Sequence, residues 1–575
     1  MADDRFELRR INWGEVFSWT HIFKSFRLAI HPSKIALALA AVILVWLVAN
    51  GLDWAWQRSD KYGYVDQAQI VDYGKPNAKP SPAFHNADAA KSLVYSAHDE
   101  TIRDFHNTYA AKLSADPAAP TGDNATYSKK LEEKLKSPEG LAADSVKGEY
   151  GDLLDQARKE HRAQAEAIED VIDDTEDSAT DSELAAARQA LAEVRGTFQA
   201  QYESVQGKGI WETFSEFEWS CFYVGIGQAA QGNLTRNLLD APGEAGPPGF
   251  LACMVLCARG VLWLVNEHFV FALILGTASL AIWALFGGAI YRIAALHAAR
   301  EEKISVRQAL RFAIGKWGSF FTAPLIPLAF VLGLGLLIMI TGVIGSLGDI
   351  GAIVMGMVMF LAILLGLVLA FIAIGLVGGF ALMYPTIAVE GSDSFDAISR
   401  SFAYVFARPW RAALYSVVAL VYGAICYLFV RLFAYIALSA THMFVRWGAW
   451  SGGESMGHTD KVPVLWTPPT FENLHGPLNT AAMNGWEYVG AVFIWIVTAL
   501  VAAMVAAFLL SYISSSSTMI YYLLRRKVDA TDIDDVYVQD TEEKAPESPA
   551  QPAAAPAAES ASAAPDDAPK TTPEA

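Results

Sequence analysis

Apolar residues in this chain are gathered into long blocks. Residues 35–56, 269–295, 320–344, 350–383, 412–440 and 491–510 are each about 20 residues or longer and mostly apolar, the length a helix needs to cross a hydrocarbon core of roughly 30 Å. The last block continues in apolar pattern to Leu524. A seventh block, 250–265, is shorter and holds Arg259. That makes 250–267 an interfacial or re-entrant segment. The pattern predicts an all-α polytopic bundle of six transmembrane helices, the first at 35–56 and five more within 268–527.

Between the first two spans the pattern changes. Residues 57–249 are polar, with helical spacing of three and four. Leu154, Ala157, His161, Gln164, Ile168 and Val171 form one seam, and Leu184, Ala187, Leu191, Val194, Phe198, Tyr202 and Val205 another. The acidic stretch 173–182 separates them, with Ser182 as the expected N-cap. This predicts a helical hairpin near 150–206, with further helices at 91–113 and 128–136 and an extended linker at Pro76, Pro80 and Pro82. The seams suit a coiled-coil-like insertion that packs internally or pairs with another copy. A second loop, 442–487, is rich in Trp, Gly and Pro and is expected to cap the bundle. Residues 528–575 are dominated near their end by Ala, Pro, Glu and Ser, the composition of a disordered acidic tail.

Charge turns this pattern into a topology. The net charge is −18. Residues 57–210 hold 18 basic and 28 acidic groups, a net of −10, and 528–575 hold 2 and 12, also −10. The rest is near neutral, and its cations cluster beside the spans: Arg9, Arg10, Lys24, Arg27 and Lys34 before the first, Arg300 to Lys316 after the second, Arg400, Arg408 and Arg411 before the fifth, and Arg525-Arg526-Lys527 after the sixth. Six spans with both termini cytoplasmic put every cluster inside and 57–267 outside. A retained signal anchor is expected at 35–56, because no small-x-small cleavage site follows it. The absence of a basic stripe argues against nucleic acid as a partner.

A unit recurs on the basic side. Ile22-Phe23-Lys24-Ser25-Phe26 and His31-Pro32 precede the first span; Ile398-Ser399-Arg400-Ser401-Phe402 and Arg408-Pro409-Trp410 precede the fifth. Tyr291, Arg307 and Trp317 match Tyr384, Arg400 and Trp410 at a constant offset of 93. Each copy predicts an amphipathic helix leading into a span. Such helices can lie in the membrane interface, which makes Lys24, Arg27, Arg307, Arg311, Arg400 and Arg408 candidate lipid contacts. Packing beneath the bundle is the plainer alternative. The Tyr384-Pro385 pair, the turn at Glu390-Gly391-Ser392-Asp393 and the segment from Ala397 to Trp410 resemble bacterial multi-span membrane families, including the membrane domain beside glycerophosphoryl diester phosphodiesterases. That resemblance covers about 30 residues and implies a helical bacterial inner-membrane protein with no transferable catalytic residues. No phosphodiesterase domain is evident.

Few residues point to chemistry. Gly453-Glu454-Ser455-Met456-Gly457 matches a nucleophile-elbow pattern with His458 adjacent, but it sits in a glycine-rich loop without a surrounding sheet. Cys253 and Cys257 lack the further ligands of a metal site, and the stretch 173–183 lacks EF-hand spacing. No cofactor motif is present, and no enzymatic activity is expected. Arg431 is the candidate intramembrane functional charge, able to bind an anion or to pair with Glu267 or Asp349. Gly375 and Gly379 suit close helix contact, as do Gly287/Gly288, Gly333/Gly335 and Gly342/Gly345. The lipid bilayer is the expected partner. The favoured role is a membrane scaffold or accessory protein presenting an outer module, which binds a protein partner or self-associates through 90–210. A transporter or lipid-handling permease is the alternative, and a membrane-lipid enzyme comes third.

Overall fold

The computed structural model describes residues 17–57, 64–65, 67–73, 87–115, 126–136, 150–236, 247–448, 465–476 and 485–537, with isolated positions at 140–148 and 462. The proline linker, the 453–458 motif and the tail beyond 537 lie outside the described residues. A 3₁₀ turn, Ser18–Phe23, leads into α1 (Lys24–Ala29) and α2 (Pro32–Gln57). There follow β1 (Tyr64–Val65), α3 (Gln67–Asp72), α4 (Ala87–Tyr95), α5 (Thr101–Ala115), α6 (Thr126–Lys134), α7 (Tyr150–Asp174), α8 (Asp181–Gln206), β2 (Lys208–Gly209) and α9 (Ile210–Ala230). The remainder is α10 (Phe250–Glu267), α11 (Phe269–Arg300), α12 (Val306–Gly315), α13 (Trp317–Gly345), α14 (Gly348–Glu390), α15 (Ser394–Ala407), α16 (Pro409–Gly448) and α17 (Gly485–Val528).

The chain is an all-α multi-pass membrane protein. Seven described helices are long and apolar enough to cross a bilayer: α2, α10, α11, α13, α14, α16 and the Tyr488–Val528 part of α17. The sequence pattern predicted six and set 250–267 apart. The helix continues past Val265 to Glu267, and this is how α10 reaches a spanning length of 18 residues. Its packing is nonetheless distinctive. It runs antiparallel along α9, with Gly225 facing Cys253 and Gly260 facing Phe217 and Glu218. Its last turns meet Ala49 of α2 and Phe271 and Leu275 in the first turns of α11.

Three helix ends form the centre of the bundle's basic face. Residues 287–296 of α11, 382–389 of α14 and 514–525 of α17 are buried on all sides, although each comes from a helix whose other half shows apolar side chains outward. This accounts for the length of α14, which at 43 residues exceeds a bilayer core: its last turns leave the lipid-facing hairpin with α13 and enter protein. Each of the three ends carries a buried tyrosine, Tyr291, Tyr384 and Tyr521. The rings of Tyr291 and Tyr384 stand 5.5 Å apart, so this one pair related by the 93-residue offset also meets in space.

The recurring unit follows the same plan three times. From α11 the chain passes through short α12 into α13, and from α14 through short α15 into α16. The third copy is split between the chain's two ends: α1 leads into α2 and packs on α17, where Phe26 meets Phe508 and Ser511 Oγ donates to the Ala29 carbonyl at 2.8 Å. The short helices pack against the span that precedes them. On α15, Phe402, Val405 and Phe406 press on Gly375, Gly378 and Gly379, where an added Cβ would come within 2.7–3.1 Å of those side chains. Gly288 likewise receives Phe320. Gly333, Gly335 and Gly342 have open space instead, because the α13–α14 hairpin stands apart from the other helices over most of its length.

The module at 87–206 is a helical bundle with its own cores. One joins Phe105, Tyr109, Tyr127, Leu131, Ile168, Leu191 and Val194; the other joins Leu93, Val94, Leu153, Leu154, Ala157 and Tyr202. The seams of the α7–α8 hairpin are therefore covered by α4, α5 and α6 rather than left for a coiled-coil partner. The hairpin's second helix is capped at Thr180, two residues earlier than Ser182 suggested. Thr180 Oγ1 accepts from the Glu183 amide at 3.3 Å, and Glu183 Oε2 accepts from the Thr180 amide at 3.0 Å, a reciprocal capping box.

His161 sits at the heart of this module. It is buried, stacked on Phe198 at 3.9 Å between ring centroids, and within 3.1 Å of Thr101 Oγ1. Burial, reinforced by Arg195, lowers its pKa to about 4. A histidine depressed in the folded state is neutral there and protonates first in the unfolded chain, so its contribution is intact above about pH 6.5 and is lost as pH falls toward 4. Between pH 7.5 and pH 5 the loss is expected to be about 2 kcal/mol. Amide-exchange protection over 150–206 in the intact protein, taken relative to the intrinsic exchange rate at each pH, should fall accordingly at pH 5, and His161→Gln should flatten that dependence.

Candidate functional sites in the bundle

Arg431 lies in the middle of α16 and is 6% exposed. A buried guanidinium needs acceptors for its donors, and it finds them in the loop that follows its helix. Nε donates to the Phe471 carbonyl at 2.7 Å, Nη2 to the Glu472 carbonyl at 2.7 Å, and Nη1 to Tyr427 Oη at 3.0 Å. The group also stands 4.1 Å from the Tyr223 ring centroid. Tyr223 and Tyr427 hydroxyls meet at 2.9 Å. The anticipated carboxylate partners, Glu267 and Asp349, take no part. The backbone of the loop supplies the negative ends instead, and Arg431 clamps loop, α9 and α16 together.

A second constellation closes the basic face. Glu390, the last residue of α14, has a side chain only 10% exposed. It lies 2.7 Å from Arg400 Nη1 and 3.3 Å from Arg525 Nε, and accepts from Tyr521 Oη at 2.5 Å. Arg525 also donates to the Asp535 carbonyl and side chain at 2.6 and 3.2 Å, and Tyr404 donates to Asp529. Arg292 donates to the Ala388 carbonyl at 2.7 Å and lies over the Phe312 ring. Asp396, at 2.9 Å from Nε, and then Glu390 hold the Arg400 pKa above its ordinary value. One acid thus gathers α14, α15, α17 and the segment that follows α17.

The six candidate lipid contacts divide on this geometry. Arg400 is paired with Glu390 and Asp396, with its side chain 42% exposed. Lys24, Arg307, Arg311 and Arg408 are exposed and form no ion pair among the described residues. Arg27 pairs at 3.3 Å with Glu301, both largely exposed. On α12 the exposed face combines Arg307, Arg311 and Ile314, the last 66% exposed. A capping box between Ser305 and Gln308 starts that helix.

One charge was missed. Lys34 belongs by sequence to the basic flank of the first span, yet it is completely buried, its Nζ donating to Ser515 Oγ at 3.0 Å. The only sequence signal was the polar run Ser514-Ser515-Ser516-Ser517-Thr518 inside an apolar block. Among the described residues no group of three or more His, Cys, Asp or Glu could hold a metal ion, and the four cysteines are free thiols. Compared with known protein families, with curated proteins and with solved structures, the chain matches none.

Two outcomes test these assignments. Removing one partner of a buried ion pair is destabilising because the other loses its compensation, here in part, since Arg525 keeps Asp535 and Arg400 keeps Asp396. Glu390→Gln should therefore lower the thermal midpoint of the purified protein by a margin that Glu390→Leu combined with Arg525→Met largely restores. Arg431→Met should leave the bundle assembled while exposing the loop, read as faster chymotryptic cleavage after Phe471.

Proposed function

We propose that this protein is a membrane scaffold that holds the helical module at 87–206 in a fixed pose at the membrane surface for a protein partner or a second copy. The observation that carries this reading is the foot of the module. Asp53, in the last turn of α2, accepts from the backbone amides of Trp211 and Glu212 at 2.9 and 3.1 Å, placing a carboxylate at the N-terminus of α9, where the helix dipole favours it. Beside it β1 pairs antiparallel with β2, Thr213 Oγ1 donates to the Val65 carbonyl, and Arg259 of α10 donates to the Val71 carbonyl at 3.4 Å. Entry and exit of the module are thus tied to each other and to the membrane helices. A tether needing only to reach a partner would not require this rigidity.

The permease alternative drew on Arg431, the glycine-rich spans and the interfacial helices; of these, the Arg431 side chain is occupied by Phe471, Glu472 and Tyr427. We assign the basic face to the cytoplasm and the module to the outside of a bacterial inner membrane, following the excess of Lys and Arg around the base. In this reading the exposed face of α12, with Arg307 and Arg311, rests against anionic headgroups.

The test uses the full chain in its native membrane. Photo-crosslinking groups at the exposed positions Arg162, Glu166 and Asp170 of α7 are expected to yield one discrete adduct, with a partner or with a second copy. Adducts no more abundant than those from a lipid-facing position such as Phe360 would sink the scaffold reading.

A further inference from the structure

Lys34 is the most unusual cation among the described residues. A lysine near the end of a span ordinarily extends its stem so that the ammonium reaches the interface. Here the side chain turns inward and is 0% exposed, with Ser515 Oγ as its hydrogen-bond partner. No carboxylate lies within 4 Å of it among the described residues. An ammonium has three donors and a full charge, and a neutral hydroxyl satisfies one donor and none of the charge. Burying such a group without an anion is strongly unfavourable, so the lysine either gives up its proton or takes up an anion.

The surroundings deepen the imbalance. His31, one turn before Lys34, and His297 of α11 have ring centroids 5.4 Å apart, and the Nδ1 atom of each is buried without a hydrogen-bond partner. Both imidazoles feel Lys34 and Lys303, and His297 also feels Arg27. Lys303 and Arg27 are exposed at the rim. Glu301 is the acid nearby, and it is engaged with Arg27 at the exposed edge. The fold does not itself impose a buried cation here. In the matching unit His31-Pro32-Ser33-Lys34 corresponds to Arg408-Pro409-Trp410-Arg411, where both arginines are exposed.

We propose that Lys34, His31 and His297, with Arg27 and Lys303 at the rim, form a binding site for a phosphate-bearing anion at the basic face of the bundle. The phosphate oxygens would supply the charge that Lys34 lacks and the acceptors its remaining donors require. The inference is independent of what the outer module binds. A headgroup of the adjoining leaflet and a soluble phosphate share this chemistry.

The experiment reconstitutes the full-length protein in phosphatidylcholine vesicles, in vesicles with added phosphatidylglycerol, and in phosphatidylcholine with inorganic phosphate in the buffer. Thermal unfolding and retained phospholipid after detergent extraction are measured for the native protein, Lys34→Met and His297→Phe. Retention of phosphatidylglycerol over phosphatidylcholine is expected to fall about tenfold in Lys34→Met and several-fold in His297→Phe, with the anion-dependent rise in midpoint lost in parallel. A response to phosphatidylglycerol alone identifies a lipid ligand, and a response to inorganic phosphate in phosphatidylcholine identifies a soluble one. If neither anion stabilises the native protein more than the variants, the proposal is overturned. Should Lys34→Met fail to fold, His297→Phe behaving like the native protein overturns it equally.

Discussion

The base of the bundle depends on a single desolvated carboxylate. Three long helices converge where α11, α14 and α17 become buried on every side, and at that depth each charged group needs a partner or a strong acceptor. Glu390 supplies the negative charge around which Arg525, Arg400 and Tyr521 arrange themselves. Arg292 solves the same problem by donating to a backbone carbonyl in the last turns of α14. Because Arg525 also grips Asp535, the chain beyond α17 is drawn under the bundle as far as Val536, which is itself buried in the central core.

The threefold recurrence explains why this core has the shape it has. Each unit delivers a span that ends in a tyrosine-bearing, fully buried turn, then a short helix that folds back, then another span. The third unit is completed by the two ends of the sequence, which ties α1 to α17 across almost the whole chain. Within this near-symmetry the exceptions are informative. The glycine face at Gly375–Gly379 admits α15 closely, whereas α12 keeps Arg307, Arg311 and Ile314 exposed. His31 and Lys34 turn inward where Arg408 and Arg411 turn outward. The recurrence supplies a scaffold, and its departures mark where the scaffold has been adapted.

Much of this was legible in the sequence because the bilayer imposes a coarse requirement. About 20 apolar residues are needed per crossing, so the blocks at 35–56, 269–295, 320–344, 350–383, 412–440 and 491–510 each correspond to a helix. The hairpin seams were legible for the same reason, since Leu154, Ala157 and Ile168 repeat at helical spacing. The cap at Thr180 was also readable, through Glu183 three residues on, and Ser182 misled only because it lies between them. What could not be read were partners distant along the chain. Nothing local to Arg431 indicates the carbonyls of Phe471 and Glu472, and nothing around Lys34 indicates Ser515. The run 514–518 reads as a blemish in an apolar helix until three helix ends are seen to enclose it.

The two ends of the bundle meet the cost of burying charge by different means. At the base, side-chain ions face side-chain ions, and removing one leaves another exposed to a low-dielectric interior. At the module end, Arg431 donates to peptide carbonyls and Asp53 accepts from peptide amides. Backbone groups carry no net charge, do not titrate and cannot swing away as side chains do. A foot built on them fixes the path of the loop and of α9 directly, whereas an ion pair would fix only the tips of two flexible side chains. The module is therefore held where the chain itself is held, a rigidity that the proposed presenting role would use.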